Sequence, residues 1–151
     1  MKHWKTYAAF IAITFAVGFL SAAVSAPDAW YEGLKKPWFN PPNWVFPIAW
    51  TILYVFIGVA GGRIWVAGLL GLPFLFWLAQ MGFNGLWSFL FFNQHAPALA
   101  LIDAVLMLAA IIGFILTTWR PVPLAARLFL PYAAWVAFAT FLNGVIVFLN
   151  R

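Results

Sequence analysis

Five long apolar segments limit what this chain can fold into more than any other feature. Each is close to the ~20 residues that a helix needs to cross the hydrocarbon core of a bilayer. Of the 151 residues, 66% are hydrophobic and 7% are charged, whereas a soluble domain is about a quarter charged. The sequence therefore predicts an all-α integral membrane protein with one domain, residues 1–151. Its five transmembrane helices are expected at 7–26, 46–67, 69–92, 96–119 and 128–149.

The connections between the later segments are short. Residues 61–63 or 68–73 must hold the turn between the second and third segments, 93–97 separate the third and fourth, and 120–123 separate the fourth and fifth. Connections of this length predict that helices consecutive in the chain are antiparallel neighbours. We expect a compact five-helix bundle with no soluble domain attached.

The first segment also has features of a secretory signal. Lys2 and Lys5 precede an apolar run that ends at Ser25-Ala26, and such a pattern is typical of signal peptides. However, the run is longer than a typical signal core, and Pro27 would directly follow the cleavage point. We interpret the segment as a retained helix.

Basic residues are distributed unequally between the two predicted sides of the membrane. With five crossings, one side holds five of them and the other holds three, which lie beside Asp28 and Glu32. The positive-inside rule then predicts a cytoplasmic N-terminus. The basic residues do not form the contiguous face that nucleic-acid binding requires, so no nucleic-acid partner is expected. The two groups are Lys2, Lys5, Arg63, Arg120 and Arg127 on the first side, and Lys35, Lys36 and Arg151 on the second.

The loop between the first two segments, residues 27–45, is rich in tryptophan and proline, and we call it the lid. Proline fixes φ and lacks a backbone donor, and it keeps the preceding residue out of the helical region. Lys36-Pro37, Asn40-Pro41-Pro42 and Phe46-Pro47 therefore predict an ordered, non-helical path. The pattern suggests an aromatic cover over a buried site.

Three of the segments carry aromatic and polar residues at helical spacing. Such spacing places each group on one helix face. Buried amides must be hydrogen-bonded, so they either join helices or contact a ligand. Aromatic faces, in turn, are core packing or the walls of a pocket. The groups are Phe46, Trp50 and Tyr54; Gln80, Asn84 and Trp87; and Trp135, Ala139 and Asn143, with Tyr132 one turn earlier.

Few residues could carry catalysis. Asp103 is the only carboxylate inside a predicted span, and it is either functional or a neutral structural acid. Cysteine is absent, and His3 and His95 lie near helix ends. No paired carboxylates, activated serine, phosphate loop or metal-ligand cluster can be recognised. We therefore predict no catalytic residue, no metal site and no obligatory cofactor.

The chain resembles the translocator protein family, which includes TspO/MBR, the tryptophan-rich sensory proteins and the peripheral benzodiazepine receptor. The resemblance covers nearly the whole chain. It is carried by W-Y-x-x-L-x-K-P-x-x-x-P-P-x-W-x-F-P-x-x-W-x-x-L-Y at 30–54, by Gln80, Asn84, Trp87 and Phe91-Phe92, and by the block at 130–143.

The resemblance implies a five-helix membrane protein, usually a homodimer, that binds porphyrins, cholesterol-like lipids and synthetic drugs beneath the first loop. We therefore expect a membrane sensor or transporter for a flat hydrophobic ligand, with protoporphyrin IX as the expected ligand. The end of the last segment, 142–151, lacks the tyrosine of the weak sterol pattern, which weakens the case for a sterol. The predicted ligand-binding residues are Trp30, Tyr31, Trp38, Trp50, Tyr54, Asn84, Trp87, Trp135, Ala139 and Asn143.

Two other functions remain as alternatives. One is an enzyme that degrades porphyrin in light, with Trp30, Trp38 or Trp135 as the redox-capable aromatic residue beside the ring. The other is a regulatory or structural membrane partner in which the pocket is incidental.

A line of small residues on the third segment suggests how two copies could meet. Ala79, Gly82 and Gly85 are spaced by three, and small residues allow close helix approach in lipid. With the family resemblance, this line predicts a symmetric homodimer through the third helix. The alternative is that the glycines admit a neighbouring helix of the same chain.

Overall fold

The computed structural model describes residues 2–25 and 27–151, and in these ranges the chain forms helices and connecting loops without a β-strand. Five helices are long and apolar enough to cross a membrane, which confirms the all-α, five-span prediction. A sixth, short helix at Ala29–Glu32 lies in the lid, and Phe46-Pro47 belongs to the spanning helix that follows, so the predicted non-helical path is wrong at these two places. The helices are α1 (Trp4–Val24), α2 (Ala29–Glu32), α3 (Val45–Val66), α4 (Leu72–Ser88, continued by a π-helical turn at Phe89–Asn93), α5 (Pro97–Thr118) and α6 (Pro123–Leu149).

Helix α6 differs most from its expected bounds, since it begins five residues before residue 128. Pro123 stands in its first turn, where the missing N–H has no helical partner to lose. Pro131 lies inside the helix and does not end it. The expected end of the first helix at Ala26 lies outside the described residues.

The five spanning helices form a closed ring in the order α1, α3, α6, α5 and α4. Helix α3 makes its main contacts with α1 and α6 and only a limited contact with α4. The expectation that all consecutive helices are neighbours is therefore wrong for this pair. A short connection brings two helix ends together, but it does not choose the faces that pack.

Glycines bring α1 and α3 together near the start of α1 and the end of α3. A Cβ atom added to Gly58 would lie 2.7 Å from the Cα atom of Ile11, and one added to Gly62 would lie 2.7 Å from the ring of Tyr7. Gly61 is equally crowded. We call the contact made by Gly58, Gly61 and Gly62 the glycine seam. It allows backbone-to-backbone packing, which is the main source of helix association in lipid.

Two residues of the predicted small-residue line on α4 have different surroundings: Gly85 packs against α1, and Gly82 does not contact another helix. A Cβ added to Gly85 would lie 3.2 Å from Val17 of α1, whereas one added to Gly82 would have no atom within 4 Å. Gly85 therefore admits a helix of the same chain. Gly82 lies on the exposed face of α4, and assembly through that face stays a prediction.

Candidate functional site

A cavity of about 380 Å³ lies under the lid, between the parts of α1, α3, α4 and α6 nearest the lid, with Met107 of α5 also in its wall. Seven of the ten residues predicted to bind a ligand line it. The cavity thus brings together the faces that helical spacing had singled out on three helices. The seven are Tyr31, Trp50, Tyr54, Asn84, Trp87, Ala139 and Asn143.

Three predicted residues lie elsewhere. Trp38 is 94% exposed at the outer surface of the lid. Trp30 packs edge-on against Phe91 at 5.8 Å and stacks on His95 at 4.3 Å, so it forms a layer above the cavity. Trp135 lines a second, smaller cavity.

The second cavity, of about 30 Å³, lies next to the main one, and some side chains line both. Trp50, Trp87 and Ala139 contribute to both. The indole Nε1 of Trp135 is buried and has no acceptor among the described residues. A buried N–H without a partner is costly.

The family resemblance implies a pocket between helices one, two, three and five, but none of the predicted ligand-binding residues lies on α1. Phe15, Gly18, Phe19 and Ala22 all line the cavity, and a Cβ on Gly18 would collide with the ring of Tyr54. Their spacing of three, four and seven residues is a helical face, so the pattern was present in the sequence. It was hidden because the segment is apolar on nearly all sides and Ser21, a polar residue of α1 that also lines the cavity, was not singled out.

A hydrogen-bonded chain of side chains begins at the cavity wall, at Tyr54 and Asn84, and continues into the helix core. The Tyr54 hydroxyl donates to Asn84 Oδ1 at 3.3 Å, Asn84 Nδ2 donates to the Tyr132 hydroxyl at 2.9 Å, and that hydroxyl donates to Gln80 Oε1 at 2.8 Å. We call these four residues the polar chain. Gln80 is fully buried, so it joins α4 to α6. Asn84 lines the cavity while both its polar atoms bond within the protein.

A second amide joins three helices at the side of the cavity. Asn143 Oδ1 accepts a bond of 3.1 Å from the Trp87 indole, and its Nδ2 donates to the Pro97 carbonyl at 2.9 Å. These bonds hold the Trp87 ring in place at the cavity wall. Its N–H is already satisfied.

The lid is attached to the α4–α5 loop by a side-chain contact between Asp28 and His95. Asp28 Oδ2 lies 3.0 Å from His95 Nε2, and Asp28 Oδ1 accepts a bond of 3.1 Å from the Tyr31 amide at the start of α2. The Tyr31 amide and His95 together hold the pKa of Asp28 below its usual range. His95 has φ of 50°, a left-handed conformation that is uncommon outside glycine. This strained turn directs its ring onto Trp30.

A second attachment fixes the lid to the end of α6. The Lys35 amide donates to Asn150 Oδ1 at 3.0 Å, and Asn150 Nδ2 donates to the Lys35 carbonyl at 2.9 Å. One side-chain amide therefore pairs with both backbone groups of one lid residue. Tyr31, which forms part of the roof, is 5% exposed, and burial raises the pKa of its hydroxyl.

The π-helical turn at Phe89–Asn93 supplies much of the aromatic packing under the lid. Phe91 stacks on Trp87 at 5.0 Å, and Phe92 meets Tyr31 edge-on at 5.2 Å. Both phenylalanines line the cavity. Single π-helical turns inside α-helices are frequent at functional sites.

The profile of the TspO/MBR family matches residues 10–149 of this chain. The chain belongs to the TspO/MBR family. It is 38% identical to the tryptophan-rich sensory protein of Cereibacter sphaeroides, over 97% of this chain and 92% of that protein. It is also 38% identical to the tryptophan-rich protein TspO of Archaeoglobus fulgidus, over 94% and 92%. With the human translocator protein it shares 35% identity, over 76% and 70%. Family membership and the five apolar helices establish a multi-pass integral membrane protein.

Asp103 is buried in this TspO/MBR family member. It is 3% exposed on α5, and neither carboxyl oxygen has a hydrogen-bond partner among the described residues. It does not belong to the walls of either cavity. Its place in the helix core sets it apart from the cavity residues.

Proposed function

We propose that this protein is a membrane sensor or transporter that binds a tetrapyrrole, with protoporphyrin IX as the ligand, in the cavity under the lid. One observation carries the proposal: aromatic side chains from the lid and from two spanning helices surround a single cavity. Tyr31, Trp50, Tyr54 and Trp87 all line it.

The size and composition of the cavity support a flat, apolar ligand. Ligand pockets typically occupy about 300–1,000 Å³ and are mostly apolar with a few polar groups, and this cavity of about 380 Å³ lies within that range. Trp50 and Tyr54 stack at 5.5 Å and present extended π-surface. Offset stacking contributes about 0.5–1.5 kcal/mol per aromatic pair beyond the burial of area.

The carboxylates of a porphyrin require a basic or donor group, and the lid offers one. Lys36 Nζ lies 4.4 Å from the centre of the Tyr31 ring, and it is within 3.4 Å of the carbonyls of Glu32 and Leu34. This ammonium group is close to the roof of the cavity. In the proposed complex it pairs with a ligand carboxylate at the outer end.

The names of two relatives support sensing or translocation as the physiological role. One relative is named a tryptophan-rich sensory protein and another a translocator protein. Both roles begin with reversible binding of a ligand. Binding is therefore the step to test first.

The test compares Trp50→Ala with Trp44→Ala in detergent-solubilised protein. Trp50 lines the cavity, whereas Trp44 is exposed in the same stretch and does not. We expect protoporphyrin IX to quench tryptophan fluorescence, and Trp50→Ala to weaken its affinity at least tenfold, about 1.4 kcal/mol. Trp44→Ala should change the affinity by less than about twofold, well under 1.4 kcal/mol.

Equal affinities for the two variants and the unchanged protein would exclude the cavity as the porphyrin site. Cholesterol serves as a competitor in the same titration. If cholesterol displaces protoporphyrin at comparable concentration, the cavity accepts a sterol as well.

The proposal includes an orientation with the N-terminus in the cytoplasm and the lid outside. The excess of basic residues on the side of Lys2, Lys5 and Arg63 supports it through the positive-inside rule. The chain has no cysteine, so labelling of Lys2→Cys or Trp38→Cys shows on which side of the membrane that one residue lies. In intact cells, a membrane-impermeant thiol reagent should label Trp38→Cys and not Lys2→Cys; the reverse would overturn the orientation.

A further inference from the structure

We propose that ligands enter the cavity sideways from the bilayer, through a gap between α1 and α3, and not from water through the lid. The proposal rests on the proposed function for the identity of the ligand. The entering molecule is an amphiphile dissolved in the membrane. Its apolar body passes between the helices while its polar end stays at headgroup level.

The exposed part of the cavity wall is confined to one side. Every wall residue on α4, α5, α6 and the π-helical turn is buried or half-buried. The exposed wall residues belong to α1, to the two ends of the lid and to the start of α3. On α1 and α3 they are Phe19, which is 72% exposed, Ala22, Pro47 and Thr51. The cavity therefore opens between these two helices.

The packing of α1 explains why the gap is there. Helices α1 and α3 are in close contact along the glycine seam, and Gly18 against the Tyr54 ring is the glycine contact nearest the gap. Beyond it, α1 turns to α4 instead: Ser21 Oγ donates to the Gly85 carbonyl at 3.2 Å, and Asn93 Nδ2 donates to the Val24 carbonyl at 2.9 Å. The end of α1 nearest the lid is thus bonded to α4 and its π-helical turn.

The rim of the gap suits contact with lipid chains. The Thr51 hydroxyl donates to the Pro47 carbonyl at 2.6 Å within its own helix, and the Ser21 hydroxyl is bonded to α4. The polar atoms of these side chains are satisfied inside the protein, as hydrocarbon surroundings require. Phe19 and Ala22 contribute only apolar surface.

The lid, in contrast, is fastened where water could enter. The Asp28–His95 pair attaches it to the α4–α5 loop, and the two bonds between Lys35 and Asn150 attach it to α6. Opening on the aqueous side requires these contacts to break, together with the packing of Tyr31. Entry between α1 and α3 requires none of them to break.

The route can be tested in proteoliposomes with neighbouring residues as matched pairs. Ala139→Cys places a single thiol on the cavity wall. In this background, Ala22→Trp fills the gap, and Ala23→Trp adds the same side chain to an exposed residue that does not line the cavity. Thr51→Trp and Ile52→Trp form the corresponding pair on α3. The probes are an apolar maleimide dissolved in the bilayer and a charged methanethiosulfonate added to the water.

We expect the apolar maleimide to label the thiol at least tenfold faster than the charged reagent. Ala22→Trp and Thr51→Trp should each slow the apolar labelling at least tenfold, whereas Ala23→Trp and Ile52→Trp should change it less than twofold. Labelling requires no porphyrin, so these results do not depend on whether protoporphyrin is the ligand. Conversely, failure of protoporphyrin to bind would reject the proposed function and leave the labelling pattern as it is.

Two results would overturn the lateral route. One is equal labelling by the charged and apolar reagents, with acceleration when Asp28→Ala and Asn150→Ala release the lid. The other is an equal labelling rate in Ala22→Trp and Ala23→Trp.

Discussion

The two ends of the α1–α3 helix pair differ in how closely the helices pack. At the glycine seam the backbones approach so closely that an added Cβ on Gly58 would lie 2.7 Å from a backbone atom of Ile11. At the other end the helices separate, and a cavity of about 380 Å³ lies behind them. The same two helices thus form a tight contact at one end and an opening at the other.

The difference shows which interactions stabilise a membrane protein around a cavity. Lipid chains are as apolar as leucine, so helices gain little from burying apolar side chains and associate through close packing and hydrogen bonds. The seam provides the close packing. Around the cavity, where close packing is missing, the polar chain and the Trp87–Asn143 bond provide the hydrogen bonds instead.

The largest effect is expected from a bulky residue in the seam. Gly58→Leu inserts a side chain where the nearest atoms are the backbone of Ile11, which cannot move without displacing α1. Overpacking costs about 1–3 kcal/mol and occasionally more, and we expect the upper end or a loss of folded protein. The measurement is the thermal unfolding midpoint in detergent.

The matched control for the seam is Gly82→Leu, since the space beside Gly82 is open. When both proteins are compared as monomers, at high detergent dilution, it should unfold within about 0.5 kcal/mol of the unchanged protein, as other exposed substitutions do. Similar destabilisation by both variants would show that the loss of glycine, and not the close approach, is responsible.

A smaller effect is expected from the polar chain. Tyr132→Phe removes the hydroxyl that accepts from Asn84 and donates to Gln80. Hydrogen bonds between membrane helices contribute about 0.6 kcal/mol on average and at most about 1.7, so the loss of two predicts roughly 1–2 kcal/mol. Unfolding in denaturing detergent measures it, and Tyr7→Phe is the control because Tyr7 lies at the seam. A change no larger than that of the control would mean that the polar chain does not stabilise the cavity half.

A local effect is expected at the lid when it is acidified. The pKa of Asp28 is lower in the folded protein than its usual value of 3.8. The stability that its carboxylate gives to the lid is therefore fully present above pH 3.8 and is lost as the pH falls through the lowered pKa. Protection of the Tyr31 amide from hydrogen exchange, corrected for the intrinsic rate, should fall below about pH 4. Asp28→Asn keeps an acceptor without the titrating charge and should abolish the pH dependence. The same fall in Asp28→Asn would assign it to another group.

The smallest effect on the fold is expected on the outer face of α4, where we propose that a second copy of the chain packs. Gly82→Leu should leave the monomer folded and convert the dimer to monomers, because the added side chain would hold the two helices apart. Crosslinking and size in detergent measure the change. An unchanged dimer would place the interface elsewhere, and Gly85→Leu is not a suitable test because Gly85 packs on Val17.

The sequence predicted the five spans because apolar length is a direct requirement of the bilayer. It also predicted the faces of Trp50, Tyr54, Asn84 and Trp87 that meet at the cavity, since helical spacing determines which residues share a face. It did not predict that α3 and α4 are poor neighbours, because spacing identifies a face and not its partner.

The positions of three tryptophans show the same limit. Trp135 shares a helix face with Ala139, yet its ring lies in the second cavity, because the rotamer of a large side chain is decided by what packs around it. Trp30 and Trp38 are in the lid, whose path depends on contacts with His95 and Asn150 that are distant in sequence. No local pattern encodes such contacts.

The π-helical turn in α4 changes the angle about the helix axis between Trp87, which lines the cavity, and His95, which contacts the lid. An α-helix advances about 100° per residue, and the turn at Phe89–Asn93, closed by the bond from the Gln94 amide to the Phe89 carbonyl, holds one residue more than an α-helical turn. Everything after it is rotated relative to Trp87 by roughly that angle. Removing one residue from the turn would leave Trp87 facing the cavity and swing His95 away from Asp28. The number of residues in this turn of α4 therefore determines the angle at which the lid is held over the cavity.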